Sequence, residues 1–578
     1  MKKLMKYFKG YTLEAVCAPF FKIIEAVFEL LVPFVVAAII DNGIPAGDKP
    51  YIVKMCGVLI LLGAVGLAST LTAQYFAAKG AVGFSSAVRQ ALFDHIQSLS
   101  FTELDKLGTS TLITRLTNDL NQVQTGVNLT LRLLMRSPFI VFGAMIMAFT
   151  IDFKAALIFV AVIPALSVVV FGIMLWTIPL YKKVQQRLDK VLLKTKENLT
   201  GARVVRAFCM EESEVADFTE KNDDLAKLQK YVGKISAVMN PLTYVIVNIG
   251  IIALIYTGAL KVQSGLLTQG LVIALYNYMS QILVELVKLA NLIISITKSV
   301  ACAGRIQAVL EIEPSMSDGD ITDGKSDSEY AAEFNNVSFK YADAGANSLE
   351  NINLKIKHGE TIGIIGSTGC GKSTLVGLIP RFYDCTEGEV KVDGENVMDY
   401  NCEALREKAA VVLQKSVLFG GTIRENILWG KPDASDCEVM SALEAAQAMD
   451  VVRSKPEGLD YVIEQGGKNL SGGQRQRLCI ARALVKHPEI LILDDSSSAL
   501  DYATDAALRK SLSNLEYNPT VITVSQRVST VMHADRIVVL EDGSTVGVGT
   551  HEELLRDCPE YGELYQSQIK SSQGSTKN

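Results

Sequence analysis

Charged side chains are scarce in this sequence, at 20% of its 578 residues, whereas 49% of the residues are hydrophobic. The net charge of −6 is too small to indicate a particular kind of partner, and we expect no nucleic acid among the partners. The ten cysteines are scattered, without pairs at the spacing of a metal site, so we interpret them as reduced thiols. We expect no cleavable signal peptide, because the basic start MKKLMKYFKG is not followed by a short apolar core and a small-residue cleavage site.

The two halves of the chain differ in character. A chain of this length should hold more than one domain, because single cores stop growing at roughly 250 to 300 residues. The first half is apolar and the second is mixed. Between them, residues 311–330 are acidic, rich in Ser and Gly and without apolar periodicity, which is typical of a linker. We therefore predict a first domain over 1–310, a linker over 311–330 and a second domain over 331–578.

Six stretches of the first domain are apolar enough for membrane helices, which need roughly 20 residues to cross a bilayer. The first, over 20–40, is interrupted by Lys22, Glu25 and Glu29. The third is short and reaches the length of a membrane span only if the turn before it is included. Six such runs in this length are unusual for buried soluble helices, so we predict an all-α polytopic domain with six transmembrane helices in a lipid bilayer. The five later stretches are 55–78, 137–151, 155–181, 235–260 and 262–284.

Basic residues at the ends of the spans predict the orientation, because cytoplasmic loops carry an excess of Lys and Arg. We therefore expect both termini in the cytoplasm and the chain in the plasma membrane. The long links 79–131 and 182–234 fall on the same inner side. Each, folded as a helical hairpin, would extend about 35 Å from the membrane at 1.5 Å per residue and could reach a cytoplasmic domain. The basic residues are Lys2, Lys3, Lys6 and Lys9 before span one, and Lys182, Lys183 and Arg187 after span four.

The sixth span carries Gln281, Glu285, Lys288 and Asn291. Ionisable residues inside a membrane usually face a cavity or each other, so Glu285 is a candidate for lining a transport path. The stretch could equally have left the lipid, with Glu285 and Lys288 forming a local ion pair on a solvated helix. The sequence leaves both interpretations open.

The second domain contains a phosphate-binding loop, GSTGCGKST, between the strand-like TIGIIG and the helix-like LVGLIP. Glycines permit the tight turns that point successive N–H groups at phosphates, where the helix dipole also favours negative charge. Lys372 adds a positive charge. Ser373 can offer its hydroxyl to Mg²⁺, with Thr374 behind it. The predicted nucleotide-binding residues of the loop are Gly366, Ser367, Thr368, Gly369, Cys370, Gly371, Lys372, Ser373 and Thr374.

A second motif, LSGGQ at 470–474, lies between the phosphate loop and the apolar strand EILILD, which ends in Asp494. With these motifs in this order, the whole chain resembles a half-size ATP-binding cassette (ABC) exporter, with one six-span membrane domain of the type I kind fused to one α/β P-loop ATPase domain. The resemblance implies ATP and Mg²⁺ as cofactors. It also implies that Ser471, Gly472, Gly473 and Gln474 grip the γ-phosphate of ATP held by a second half-transporter.

The resemblance assigns roles to further residues of the second domain. Tyr341, 25 residues before Gly366, resembles the aromatic residue that stacks on adenine. Gln414 resembles the glutamine that senses Mg²⁺ and the attacking water. Asp494 would lie beside the metal, together with Ser373 and Gln414. The SALD segment at 498–501 resembles the loop that contacts the opposite ATPase domain.

Two positions depart from the family pattern. Members that turn ATP over well have Glu after the Asp of EILILD and His in the switch loop, whereas this chain has Asp495 and Gln526. The shorter carboxylate is drawn back by about 1.5 Å, while a general base must lie within roughly 2.6 to 3.2 Å of the proton it takes. Gln526 can donate a hydrogen bond to phosphate but cannot carry a proton or a charge. We predict Asp495, Gln526 and Gln414 as the catalytic set of a site that holds ATP and hydrolyses it slowly.

The predicted function is ATP-driven export of small amphipathic molecules or lipids, with this chain as the degenerate-site half of a heterodimer. A homodimer with weak ATPase activity is an alternative. A second alternative is a nucleotide-gated channel or regulatory subunit, which could not concentrate a cargo. The six spans argue against a soluble cassette protein, and the fusion of membrane and ATPase parts in one chain argues against an importer.

Overall fold

The computed structural model describes residues 3–325, 328–342 and 344–574, with side chains up to residue 568. The chain divides into two compact units. One comprises Met1–Gln97 and Thr109–Ile312, and the other comprises Ser98–Gly108 and Glu313–Asn578. The second unit therefore includes a short segment from the first half of the chain.

The first unit is helical. A 3₁₀ helix, Lys3–Tyr11, comes first, and π-helical turns at Ile39–Gly43 and Arg115–Asp119 join longer helices. Within the described residues, six helical stretches are long and apolar enough to cross a membrane, so this is a multi-pass membrane protein. The α-helices up to residue 310 are α1 (Thr12–Ala38), α2 (Ile44–Ala46), α3 (Lys49–Ser98), α4 (Phe101–Leu107, in the second unit), α5 (Thr109–Thr114), α6 (Leu120–Leu133), α7 (Arg136–Ile151), α8 (Phe153–Thr200), α9 (Ala202–Ala207), α10 (Glu211–Gln263) and α11 (Gln269–Leu310).

The sixth span begins at Gln269, within the apolar stretch 262–284. Gly265 takes φ +70°, a left-handed conformation that ends α10, and α11 starts only at Gln269. Asp41 accepts a hydrogen bond from the Gly270 amide (2.7 Å), which satisfies one of the free N–H groups at the start of α11. The apolar stretch begins before the helix because apolar composition continues through this turn.

Small side chains fill the core of the membrane helices. Ala26, Ala144, Ala148, Ala156 and Ala274 are each fully buried in one apolar cluster that spans α1, α7, α8, α10 and α11. Small residues let helix backbones approach closely. Membrane helices depend on such packing contacts, because the surrounding lipid provides no hydrophobic driving force for their association.

Glu285 is buried, with 3% of its surface exposed, and it faces other charges. Arg136 of α7 donates to its carboxylate at 2.8 Å, Lys288 does so at 2.9 Å, and Ser137 donates at 2.8 Å. Arg136 also pairs with Glu29 of α1 at 2.7 Å. Of the two interpretations the sequence leaves open, a fully solvated helix does not fit this burial, although the local pair with Lys288 is present.

The second unit is built on a six-stranded sheet. Its order is β12-β11-β3-β10-β9-β6, parallel except for β12, and an antiparallel β2-β1-β4-β5 sheet accompanies it. The strands are β1 (Tyr330–Phe339), β2 (Leu349–Lys357), β3 (Thr361–Gly366), β4 (Glu387–Val392), β5 (Glu395–Asn396), β6 (Ala409–Val412), β7 (Gly421–Thr422), β8 (Val462–Ile463), β9 (Ile490–Asp494), β10 (Thr520–Val524), β11 (Arg536–Glu541) and β12 (Ser544–Gly549).

Helices flank these strands, as in other α/β domains. Turns of 3₁₀ helix lie at Gly458–Asp460 and Gln465–Gly467. The α-helices are α12 (Lys372–Gly377), α13 (Cys402–Lys408), α14 (Ile423–Leu428), α15 (Asp436–Ala445), α16 (Met449–Arg453), α17 (Gly472–Leu484), α18 (Tyr502–Leu512), α19 (Val528–Val531), α20 (His551–Asp557) and α21 (Pro559–Gly574). The predicted architecture, a six-span helical domain with an α/β nucleotide-binding domain, is confirmed.

Candidate nucleotide-binding site

The parallel strands bring the predicted site together. Strands β3, β9 and β10 lie side by side, so the segments that follow their carboxyl ends meet at one edge of the sheet. The phosphate loop follows β3, Asp494 ends β9, and Gln526 follows β10. Residues far apart in the sequence thereby line one cavity of about 230 Å³.

The phosphate loop has the backbone geometry that its glycines predict. Gly369 and Gly371 take φ values of +88° and +96°, in the left-handed region. A Cβ at Gly371 would lie 2.6 Å from the carbonyl oxygen of Ser348, so no larger residue fits there. Helix α12 begins directly afterwards, at Lys372, and ends at Gly377, three residues into the predicted LVGLIP helix, shortly before Pro380.

Lys372 is buried, with 8% of its surface exposed, and its ammonium group is held inside the loop. It donates to the carbonyl oxygens of Gly366 at 3.0 Å and Ser367 at 2.6 Å. The Sγ atom of Cys370 lies 3.6 Å from the same ammonium group. Cys370 is 3% exposed and does not line the cavity, so its thiol lies underneath the loop.

Ser373 and Asp494 form the oxygen-rich corner of the cavity. The Ser373 hydroxyl donates to the Asp494 carboxylate at 2.9 Å. Burial raises the pKa of Asp494, against the hydrogen bond from Ser373, and the neighbouring Asp495 adds to the rise. Hydroxyl and carboxylate oxygens are ligands that Mg²⁺ accepts, and Mg²⁺ sites on nucleotides use few protein ligands. These two residues therefore fit a magnesium ion bound together with phosphate.

Tyr341 stands at the mouth of the cavity, just after β1. Its ring packs edge-on against Phe339 and Tyr383, with centroids 4.8 Å and 5.4 Å away, and its hydroxyl lies 3.0 Å from the Thr374 hydroxyl. These contacts fix the ring while 36% of the residue stays exposed. An exposed aromatic face held in this way suits stacking on a nucleotide base.

The two unusual positions, Asp495 and Gln526, lie in the cavity beside the phosphate loop. Asp495 has φ +46°, uncommon for a residue with a side chain, and its carboxylate accepts a hydrogen bond from the Gln414 amide at 3.2 Å. The Gln526 amide oxygen accepts from the Thr368 hydroxyl of the phosphate loop at 3.3 Å. Both side chains line the cavity with Asp494.

The signature residues are not among those that line this cavity. Ser471 caps α17, since its hydroxyl accepts from the Gln474 amide at 3.3 Å while its own amide donates to the Gln474 side chain at 3.0 Å. Gly473 approaches Ala499 so closely that a Cβ would lie 3.1 Å from the Ala499 carbonyl oxygen. The signature thus packs on the SALD loop.

Helix α4, contributed by the first half of the chain, lies beside the site. Phe101 packs on Phe382 with ring centroids 4.8 Å apart, and Tyr383 donates a hydrogen bond to Asp105 at 2.7 Å. Tyr383 in turn contacts Tyr341. No sequence pattern identified Phe382 or Tyr383, because their significance depends on contacts across some 280 positions.

A nucleotide site of this kind, fused to six membrane helices, defines an ATP-driven transporter. Family models agree: residues 16–286 match the ABC transporter transmembrane region and residues 349–498 match the ABC transporter domain. The chain belongs to the ABC transporter family, as a half-size exporter that carries one membrane domain and one ATP-hydrolysing domain and therefore works as a dimer.

Individual relatives match over most of their length. The chain is 36% identical over 98% of its length to YfiB of Bacillus subtilis, an uncharacterized ABC transporter ATP-binding protein, and covers 99% of it. It is 35% identical over 84% of its length to an ATP-dependent lipid A-core flippase of Syntrophus aciditrophicus, covering 80% of that protein. It is 33% identical over 98% of its length to YgaD of Bacillus subtilis, a putative multidrug export ATP-binding/permease protein, covering 99% of it.

A solved structure has the same fold. The structure of a bacterial Atm1-family ABC exporter with ATP bound matches with a TM-score of 0.79, at 23% identity, over 96% of this chain and 98% of that one.

Proposed function

We propose that this chain exports amphipathic small molecules or lipids from the plasma membrane by alternating access, as one half of a heterodimer whose own phosphate loop holds ATP and hydrolyses it slowly. The observation that carries this proposal is the pair Asp495 and Gln526, which line the same cavity as the phosphate loop. Much of the phosphate loop, including Lys372 and Ser373, lines the same cavity. This supports a site that retains ATP binding while the groups that activate water are altered.

The geometry of Asp495 supports slow hydrolysis. Its carboxylate hydrogen-bonds Gln414 at 3.2 Å, so the residue that senses the attacking water is tied to a base one methylene shorter than Glu. A misplacement of about 1 Å can reduce a rate around a hundredfold. Gln526 keeps a hydrogen-bonding side chain beside the phosphate loop but has no group that titrates.

Magnesium and nucleotide have defined partners in this proposal. Ser373, Asp494 and Gln414 would hold Mg²⁺, which neutralises the charge of the terminal phosphates when bound. Tyr341 would stack on adenine. The nine residues of the phosphate loop would enclose the phosphates.

The second ATP site of the dimer would be completed by this chain's signature. The amino end of α17 presents the Gly472 and Gly473 amides, and such an end favours a phosphate. Because the signature does not line this chain's own cavity, it would serve ATP bound by the partner. A partner with Glu and His at the two altered positions would then provide the fast site.

The cargo class is suggested by the relatives, of which one is named a lipid flippase and another a putative multidrug exporter. We propose the predicted domains, 1–310, 311–330 and 331–578, with both termini in the cytoplasm. The conformational change of the ATPase domain would be transmitted through the long helical extensions. Of these, α3 and α5 are joined by α4, which lies beside Tyr383.

Purification from the source cells tests the pairing. A tagged full-length chain should bring with it a second half-transporter that has Glu and His at the two altered positions, and the pair should hydrolyse ATP much faster than the tagged chain alone. In membrane vesicles the pair should accumulate an amphipathic fluorescent dye against its gradient with ATP. Brisk ATPase activity and uphill transport by this chain as a homodimer would overturn the heterodimer proposal, and equilibration without accumulation would indicate a channel.

A further inference from the structure

The last described side chain of the C-terminal helix bridges the switch loop. On α21, the Gln568 side-chain amide donates to the backbone carbonyl oxygen of Gln526 at 2.8 Å. Its amide oxygen accepts from the backbone N–H of Val528, also at 2.8 Å. One primary amide therefore forms hydrogen bonds with two main-chain groups, one on each side of Arg527, as the backbone of a neighbouring β-strand would.

Helix α21 is anchored firmly enough to hold this amide in place. Tyr561, two helical turns before Gln568 and on the same face, is fully buried. It packs in one apolar cluster with Ile365 of β3 and with Val528 and Val531 of α19. The His551 ring nitrogen Nδ1 lies 2.7 Å from the Tyr561 hydroxyl and adds a polar tie. The helix thus rests on the strand that leads into the phosphate loop.

The tip of the switch loop is held by hydrogen bonds and not by burial, among them those that Arg527 donates to Ser525 and Ser498. Gln526 and Arg527 are both exposed. The amide of Ser525, just before them, donates to the Ile364 carbonyl oxygen at 3.0 Å, and Arg509 donates to the carbonyl oxygens of Ser529 and Thr530 further along. Between these fixed points, the described contacts to the backbone of Gln526 come from Gln568.

The position of the Gln526 backbone decides where its side chain points. That side chain accepts from the Thr368 hydroxyl at 3.3 Å and lines the nucleotide cavity. A continuous path therefore runs from Gln568, through the Gln526 main chain and side chain, to the phosphate loop. A loosened main chain would swing the Gln526 amide away from the place of the terminal phosphate.

We propose that Gln568 is a positioning residue of the ATP site, which fixes the switch loop so that Gln526 meets the terminal phosphate and prolongs the retention of ATP. The proposal rests on the proposed function only in assigning Gln526 to the phosphate. It makes the C-terminal helix a working part of the nucleotide site.

The test measures nucleotide release from the purified full-length chain in lipid nanodiscs, with a fluorescent ATP analogue and Mg²⁺ as the probe. Q568L keeps the side-chain volume and removes both hydrogen bonds, and it should speed release about fivefold to tenfold, the effect of one or two lost hydrogen bonds. Q568E retains the acceptor for Val528 and loses the donor to Gln526, so its release rate should lie between those of Q568L and wild type. Q566L, on an exposed position of the same helix, is the matched control and should release at the wild-type rate.

A double substitution separates positioning from a merely structural effect. Because Gln568 acts through the Gln526 side chain, Q568L should add nothing to the release rate once Gln526→Ala is present. Additive effects, or release from Q568L at the wild-type rate, would overturn the proposal. The proposal would also be overturned by a different pair of results. In that case Q568L would release nucleotide faster only together with a lower unfolding temperature, and Q568E would release it at the wild-type rate. The absolute ATPase rate and the identity of the partner do not enter this test, so the proposed heterodimer can fail while Gln568 keeps its role.

Discussion

The phenol of Tyr383 donates a hydrogen bond to the carboxylate of Asp105, at 2.7 Å. Burial, together with this hydrogen bond, raises the pKa of Tyr383, so the phenol remains the donor at neutral pH. Tyr383 also touches Tyr341 with ring centroids 5.4 Å apart. Helix α4 is therefore connected through Tyr383 to Tyr341, the residue proposed to stack on adenine.

Removing this hydrogen bond should uncouple ATP use from transport. Tyr383→Phe keeps the ring contacts and loses the bond, which contributes about 1 kcal/mol and up to about 3 kcal/mol with a charged acceptor. We expect transport per ATP hydrolysed to fall several-fold while ATP affinity changes less than about threefold. Dye accumulation and ATPase activity measured on the same vesicles give the ratio.

Asp105→Asn supplies the control for that result. An amide oxygen can still accept from the phenol, so this variant should retain more coupling than Tyr383→Phe. Equal ratios in wild type and Tyr383→Phe would show that the bond carries no transport signal.

Restoring the usual residues at the two altered positions should speed hydrolysis at this chain's own site. Asp495→Glu with Gln526→His extends the carboxylate by about 1.5 Å and supplies a titratable group, and we expect single-site turnover to rise roughly tenfold to a hundredfold. Single-turnover hydrolysis of bound ATP, followed on the full-length chain, measures it.

The exposed Glu516, converted to Gln, controls for a general effect of surface charge. An unchanged rate in the double variant would contradict the geometric explanation. The hydrogen bond between Gln414 and Asp495 would then be the remaining candidate for the cause of slow hydrolysis.

The buried charges of the membrane unit should depend on one another for their effect on the stability of the fold. Glu285→Gln leaves Arg136 with Glu29 and a weaker partner, and removing one member of a buried ion pair typically costs about 3 to 5 kcal/mol. The unfolding temperature of the detergent-solubilised protein should therefore drop clearly. Val284→Ala, at a half-exposed neighbouring position, should leave it nearly unchanged.

Replacing both members of the main pair extends the test. Arg136→Met with Glu285→Leu removes both charges, so it should destabilise less than Glu285→Gln with Arg136 intact. A larger drop in the double variant would contradict this prediction, because it would show that the unpaired Arg136 is not the main cost.

Cys370 should react slowly with alkylating reagents, because its thiol is 3% exposed beneath the phosphate loop. Once alkylated it should block nucleotide binding, since the thiol lies 3.6 Å from the Lys372 ammonium group. Bound ATP should slow the labelling further by holding the loop closed. Mass spectrometry with and without ATP measures the reaction.

Cys437, which is exposed in the ATPase domain, provides the internal standard for this labelling. Cys370→Ala should bind ATP and resist inactivation. Labelling of Cys370 at the same rate as Cys437, with no effect of ATP, would contradict the prediction.

The sequence predicts those features that depend on local pattern. The phosphate loop between a buried strand and a helix, Asp494 at the end of β9 and the six apolar spans each follow from residues that are neighbours in the chain. Hydropathy does not register the backbone turn at Gly265, so the apolar stretch 262–284 starts before α11 does. The partners of Glu285 and Tyr383 and the bridge from Gln568 could not be predicted, since each joins segments that only tertiary packing brings together.

The second compact unit includes residues 98–108, so its boundary does not follow chain order. An ATPase fragment that begins after the sixth span would lack Phe101 and would leave the ring of Phe382 without its cover. Such a fragment should be less soluble than the unit it is meant to represent. A synthetic peptide spanning the missing eleven residues should bind to it and reduce its tendency to aggregate.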